Sequence, residues 1–242
     1  MKLKKSTLFF YSLAEMPINI ALFPILVFIP KFYTGEMGVP LALAANIILA
    51  VRIFDVFTDP IVGYINDRTN TKWGRRRPWI AMATPLLMVS IYMLFIPPEG
   101  AGALHLFLWM FLLSIATTML IIPYYAWGAE LSPDYNERSR ITGWRSISGV
   151  VGSLSAQLIP TIALVFFGLG GSTNVLYIVG IASVIIMPIC VFLTVSKVPE
   201  SKDYIKSNIS PIKGFKIMLE NSPFKRLIMA FMFGGIAFSI TI

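Results

Sequence analysis

Three ionisable side chains, Arg52, Asp55 and Asp59, stand inside the otherwise apolar run Ala50-Val51-Arg52-Ile53-Phe54-Asp55-Val56-Phe57-Thr58-Asp59-Pro60. An Asp or Arg at the centre of a bilayer costs ~2.5–3.5 kcal/mol on insertion scales, so three unpaired ones approach ~10 kcal/mol. Their spacing shows how that cost falls. At ~100° per helical residue the three positions lie within about 60° of one another, on a narrow stripe that must face a bundle interior or a water-filled cavity. Arg52 neutralises one aspartate and leaves one negative charge over. Asp55 and Asp59 are a helical turn apart, so their carboxylates can share a small hard cation or a proton. Thr58 adds a hydroxyl on the adjoining face. A buried ion pair that only ties helices together leaves the second carboxylate unexplained, which favours a cation or proton site.

The element that must hold this stripe is a membrane-spanning helix. Apolar runs cover 8–33, 39–65, 78–98, 103–130, 142–168 and 174–197, and a seventh opens at 227 and runs to Ile242. Each of the six is long enough for a hydrocarbon core of ~30 Å at ~1.5 Å per residue. The expected fold class is an all-α membrane protein, a six-helix bundle (1–197) followed by a cytoplasmic middle linker (198–226) and the start of a truncated seventh span (227–242). A plan of six spans, basic linker and six more spans makes the chain an expected N-terminal half, its missing partner a C-terminal six-helix half. If span one rises and span two returns, Glu15 lies level with Asp59 and Asn19 with Asp55, and Thr118 on span four reaches a similar depth. A polar layer across spans one, two and four follows, with Glu15 able to face either it or the interface.

Composition supports the same solvent. Apolar residues make up 56% of the 242 and charged residues only 13%, against roughly 45–50% and 25% in soluble domains. The net charge of +8 could suggest a nucleic-acid partner, but 18 of the 20 basic residues fall in the N-terminus, in alternate connectors and in the segment after span six. Connectors 34–38, 99–102 and 168–173 carry none. This positive-inside pattern orients the chain in a cytoplasmic (inner) membrane with its N-terminus in the cytoplasm, and no nucleic acid is expected. The first apolar stretch is too long for a cleavable signal and lacks a small-residue cleavage site.

Other features read blandly. Cys190, the one cysteine, excludes an intrachain disulfide, and a single histidine, His105, excludes a two-histidine metal site. Prolines 17, 24, 60, 123, 160 and 188 sit within spans, as kinks or as broken helices that free carbonyls for ions. Tyr124, Trp127 and Trp144 fall where an interfacial aromatic belt is expected. The linker is expected to carry a short interfacial helix around 212–220. No catalytic constellation is visible, so the chain is not expected to be an enzyme and needs no cofactor beyond a coupling ion.

The run Arg52-Ile-Phe-Asp55-Val-Phe-Thr-Asp59-Pro60-Ile-Val-Gly63, followed by Asn66-Asp67-Arg68 and Trp73-Gly74-Arg75-Arg76-Arg77-Pro78-Trp79, resembles the glycoside-pentoside-hexuronide:cation symporters of the major facilitator superfamily. The melibiose permeases are its best-known members. Gly63-xxx-Asp67-Arg68 is similar to the superfamily's second-connector signature, and the five residues between Arg68 and Gly74 resemble this branch. Ile122-Pro123-Tyr124-Tyr125, then Glu130, Asp134, Glu137-Arg138 and Arg145, form a second match. The resemblance covers the whole chain as an N-terminal half.

By that resemblance, Asp55 and Asp59 match the carboxylates that bind the coupling cation and Thr118 matches a hydroxyl ligand from span four. Thr58 stands where melibiose permeases have Asn, which leaves Na+, Li+ or H+ open. Asn19 stands in place of a sugar-binding Asp, Ile121 in place of a second such acid, and Tyr125 in place of a Trp that stacks on sugar. Arg145 matches a substrate-site Arg once a residue is deleted in between. Asp67, Arg68 and Arg75 are implied to gate by pairing with the other half. The expected function is therefore cation-coupled symport of a sugar or glycoside, though not melibiose. The alternatives are a carrier of lysolipids or other amphipathic solutes, and a non-transporting membrane sensor on the same scaffold.

Overall fold

The computed structural model describes residues 2–168, 171–200, 217 and 220–241. Its helices are α1 (Lys5–Ser12), α2 (Glu15–Val27), α3 (Ile29–Gly35), α4 (Leu41–Arg68), α5 (Arg77–Phe95), α6 (Ala103–Glu130), α7 (Tyr135–Phe167), α8 (Ser172–Lys197) and α9 (Ser222–Thr241). Six segments are long and apolar enough to cross a membrane: Lys5–Val27, Leu41–Arg68, Arg77–Phe95, Ala103–Glu130, Tyr135–Phe166 and Thr173–Lys197. The six spans read from the sequence are present, and a helical bundle is what a chain must form where no water can satisfy its backbone.

Span one is not a straight rod. Pro17 has no N–H and its ring crowds the carbonyl four residues back, at Leu13, and the helix breaks between Ser12 and Glu15. A second break lies at Phe28, just ahead of Pro30 in the first turn of α3. The backbone stays satisfied there: Phe28 N–H donates to the Pro24 carbonyl at 2.7 Å and Phe32 N–H to the Phe28 carbonyl at 2.8 Å. Span five starts earlier than 142. Asp134 caps α7 by accepting from the Glu137 N–H at 2.9 Å, so the charged turns bearing Arg138, Arg140 and Arg145 are helical too.

Packing follows small residues. α6 lies against α5 and α4, α2 against α7, and α5 against α8. Gly128 of α6 receives the Tyr11 hydroxyl, Gly180 of α8 receives Phe95, and Gly149 and Gly152 of α7 receive α2. Such close approaches are how helices associate where lipid removes the hydrophobic drive between them. Large side chains of the core include Tyr11, Tyr33, Phe95, Tyr124 and Trp127, all fully buried. The aromatic belt expected at Tyr124 and Trp127 is therefore corrected: both point into the bundle. Tyr11 and Tyr124 stack at 4.7 Å, and each hydroxyl donates to the other's carbonyl, at 3.0 and 2.8 Å. Fully satisfied polar tips explain why two tyrosines are stable there.

The chain divides into two units, Met1–Lys202 and Asp203–Ile242. Val198–Glu200, assigned to the linker by composition, belongs to the first unit and is held against it. Arg77 Nη2 donates to the Val198 carbonyl at 2.7 Å, and Trp127 Nε1 to the Pro199 carbonyl at 3.0 Å. In the second unit the described helix is α9, which opens at Ser222 rather than 227. The short helix expected at 212–220 falls largely outside the described residues.

Candidate functional site

Spans two and four run in the same direction, so residues on their facing sides keep a constant offset. Thr118 Oγ1 of α6 donates to Asp59 Oδ1 of α4 at 2.7 Å, and one turn away Ser114 Oγ donates to Asp55 Oδ1. Two carboxylates thus face two hydroxyls in register. Arg52 Nη1 lies 3.3 Å from Asp55 Oδ2, on the same helix. Among the described residues no ion pair involves Asp59, so the charge left after Arg52 is counted resides there.

These groups line a cavity of about 290 Å³ whose remaining wall is apolar: Leu22, Ile25 and Leu26 from α2, and Met110, Leu113 and Ile121 from α6 among others. Both carboxylates thus border a space shared with α2 and α6. Thr117 also lines this cavity, and its hydroxyl oxygen is buried without a hydrogen-bond partner.

Thr58 is a correction. Its hydroxyl donates to the Phe54 carbonyl one turn back, at 3.2 Å, and the side chain does not line the cavity. At ~100° per residue it is rotated off the aspartate stripe, and its own helix takes its proton. The hydroxyl that sequence reasoning sought from Thr58 stands instead on α6, as Ser114. A signal existed: Ser114 and Thr118 repeat the four-residue spacing of Asp55 and Asp59.

A second polar cluster lies on spans one, four and five. Tyr125 donates to Glu15 Oε1 at 3.0 Å, and the Arg145 guanidinium sits over the Tyr125 ring at 3.8 Å, close enough to Glu15 for electrostatic attraction. Glu15 is 8% exposed, and its other oxygen, Oε2, is buried with no partner. Asn19 Nδ2 donates to the Glu15 carbonyl at 2.9 Å. Glu15 and Asn19 open with Ser146, Gly149 and Ser153 of α7 onto a cavity of their own. The single polar layer expected across spans one, two and four is thus two separate clusters. Level counting treated span one as a rod, whereas it is broken at both ends of α2.

The basic end of the bundle holds the remaining candidates. Arg76, which sequence reasoning passed over, is 3% exposed and binds Glu130 at 2.6 Å and Asp67 at 2.8 Å, and it donates to Asn66. Burial works to depress the Arg76 guanidinium, but hydrogen bonds with Glu130 and Asp67 outweigh it and hold the group above its ordinary value. Arg75 shares Glu130, and Arg68 stacks on Tyr64 at 4.2 Å. Glu200 Oε1 accepts the Arg75 and Arg76 backbone N–H groups at 2.6 and 2.7 Å. Glu137 pairs with Arg140 at 2.6 Å.

Comparison with known proteins adds an independent line. The family model described as MFS/sugar transport protein matches residues 10–242. The chain is 28% identical to the isoprimeverose transporter of Lactiplantibacillus pentosus, over 89% of this chain and 46% of that one. It is 29% identical to a glucuronide carrier protein homolog of Escherichia coli (strain K12), over 57% and 31%. To the sodium-dependent lysophosphatidylcholine symporter 1 of Mus musculus it is 26% identical, over 88% and 47%. The matches span less than half the length of each of these relatives.

Proposed function

The chain belongs to the MFS/sugar transport protein family, and on that premise we propose that it supplies the N-terminal six-span bundle of a cation-coupled symporter for a sugar or glycoside. It is a multi-pass membrane transporter and not an enzyme. The reading is carried by one observation, the paired carboxylates Asp55 and Asp59 with a single guanidinium, Arg52, held by Asp55, opening on a cavity lined by α2, α4 and α6. A cation, Na+, Li+ or H+, neutralises the charge left on Asp59 and favours the conformation that accepts solute. A further six-helix half, of the kind its longer relatives have room for, completes the cavity, and the two halves rock to expose it alternately. The basic end lies in the cytoplasm of an inner membrane, as positive-inside orientation requires.

Solute is held at the Glu15–Tyr125–Arg145–Asn19 cluster. The Glu15 Oε2 atom lacks a donor, which a sugar hydroxyl supplies, and Arg145 donates to a ring or hydroxyl oxygen. Arg75, Asp67 and Arg68 act at the cytoplasmic gate. A second reading, an amphipathic solute such as a lysolipid, is favoured by the apolar wall of the aspartate cavity and by Ile121 standing on it.

The test is uptake into vesicles by full-length protein, offering labelled glycosides and lysophospholipids under Na+, Li+ and pH gradients. Asp59→Asn is expected to lose cation-driven accumulation of whichever solute is carried. Accumulation that survives in both Asp59→Asn and Asp55→Asn refutes cation coupling at this site, whereas a wild type that accumulates no solute under any gradient leaves the sensor reading standing.

A further inference from the structure

We propose that Ser114 is a direct ligand of the coupling ion and that this ion is an alkali cation; the inference rests on the symport reading above and names a residue and an ion class that reading leaves open. The hydroxyls of Ser114 and Thr118 face Asp55 and Asp59 as two matched rungs, four residues apart on each helix. A serine hydroxyl carries one proton and two lone pairs. Giving the proton to Asp55 leaves both lone pairs free to accept, and Ser114 lines the cavity. Both Asp55 oxygens are already engaged, one by Ser114 and the other by Arg52 at 3.3 Å. A cation entering beside Asp59 therefore finds its second carboxylate partly spent and needs further neutral oxygens.

Hard cations are bound by several oxygens at once, carboxylate, hydroxyl and carbonyl together. Thr58 offers none here, because its side chain does not line the cavity. Ser114 and Thr118 do offer them. The Thr117 oxygen, buried without a partner on a residue that lines the same cavity, is the sort of stranded polar atom that a bound ion or its water satisfies. A proton carrier has no use for this arrangement. A proton occupies one carboxylate oxygen and needs a single acceptor, whereas a hard cation takes several oxygens at once.

Na+ and Li+ are titrated calorimetrically into purified full-length protein against choline at constant ionic strength, so no solute need be known. Wild type is expected to bind Na+, and Ser114→Ala to bind it about tenfold more weakly. Ser114→Thr, which keeps the hydroxyl, is expected to restore affinity to within about threefold, and Thr58→Ala to match wild type. If Ser114→Ala destabilises the protein, the Thr variant still decides the matter, since a loss shared by both variants refutes ligation. Equal Na+ affinity in wild type and Ser114→Ala overturns the role of Ser114. Absence of Na+ and Li+ binding in wild type overturns the alkali-ion assignment. Unaltered Na+ binding in Asp59→Asn instead overturns the underlying cation site, an outcome distinct from the other two.

Discussion

Gly152 is where the packing of spans one and five can be broken most cleanly. A Cβ built there lies 3.1 Å from Asn19 Cβ and 3.1 Å from the Met16 carbonyl carbon, and it clashes with the Met16 oxygen. Carbon atoms in comfortable contact are ~3.5–4.0 Å apart, so α2 must retreat by roughly 0.5–1 Å at least. The obstacle is backbone, which no rotamer change relieves, and overpacking of this kind costs ~1–3 kcal/mol. Gly143, on the same helix, has nothing within 4 Å of its built Cβ. Both Gly→Ala changes gain ~1 kcal/mol of helix propensity, so the difference between them isolates the steric cost. Denaturation of the two variants in detergent is expected to show Gly143→Ala equal to or above wild type and Gly152→Ala ~1–3 kcal/mol below Gly143→Ala. Glu15 and Asn19 ride on the displaced helix, so the solute cluster should loosen as well. Two variants of equal stability refute the close approach of α2 and α7.

At the basic end, Glu130→Gln leaves the buried Arg76 guanidinium short of a charge partner and should cost ~3 kcal/mol in an unfolding assay. Asp67→Asn removes a partner that is 65% exposed and should cost less than ~1 kcal/mol; reversal of that order refutes the assignment of Glu130 as the main counter-charge. Glu200→Ala frees two backbone N–H groups and should release Val198–Glu200, read as faster proteolysis after span six, with Glu200→Gln intermediate. Tyr125→Phe removes the bond to Glu15 but keeps the ring under Arg145, so the solute concentration for half-maximal uptake should rise a few-fold. Tyr125→Leu removes both and should raise it further; equal effects would show that the ring contributes nothing.

The spans were legible because the bilayer imposes a length and a hydrophobic composition that no local detail overrides. Asp55 and Asp59 were legible because charge in an apolar run is costly and the four-residue interval fixes a common face. Thr58 misled for the same geometric reason taken loosely: one residue from Asp59 is ~100° away, off the stripe. Ser114 stayed hidden because a lone serine in an apolar helix costs little and carries no sign of its partner. Only the parallel direction of α4 and α6 brings its offset into register. Asp134 was visible as an acid but not as a cap, since the arginines after it suggested a connector rather than the first turns of α7. Glu200 and Arg76 were unreadable because their partners are backbone N–H groups and side chains on distant connectors.

The two clusters share one element, α6, and in the proposed symport cycle this would let each ligand act on the other through that helix. Ser114 and Thr118 of α6 meet α4, while Tyr125 of the same helix meets Glu15 of α2 and Arg145 of α7. Thr118 and Tyr125 are seven residues apart, two turns and ~10.5 Å along one face. In the proposed cycle a cation ties α6 to α4, and a solute ties α6 to α2 and α7. Each ligand can shift the equilibrium only by binding one arrangement of these helices better than the other. Both act on the position of the same helix, so whichever binds first supplies part of the ordering the second requires. Linkage then makes the effect reciprocal: a cation that tightens solute binding must itself be tightened by solute to the same factor.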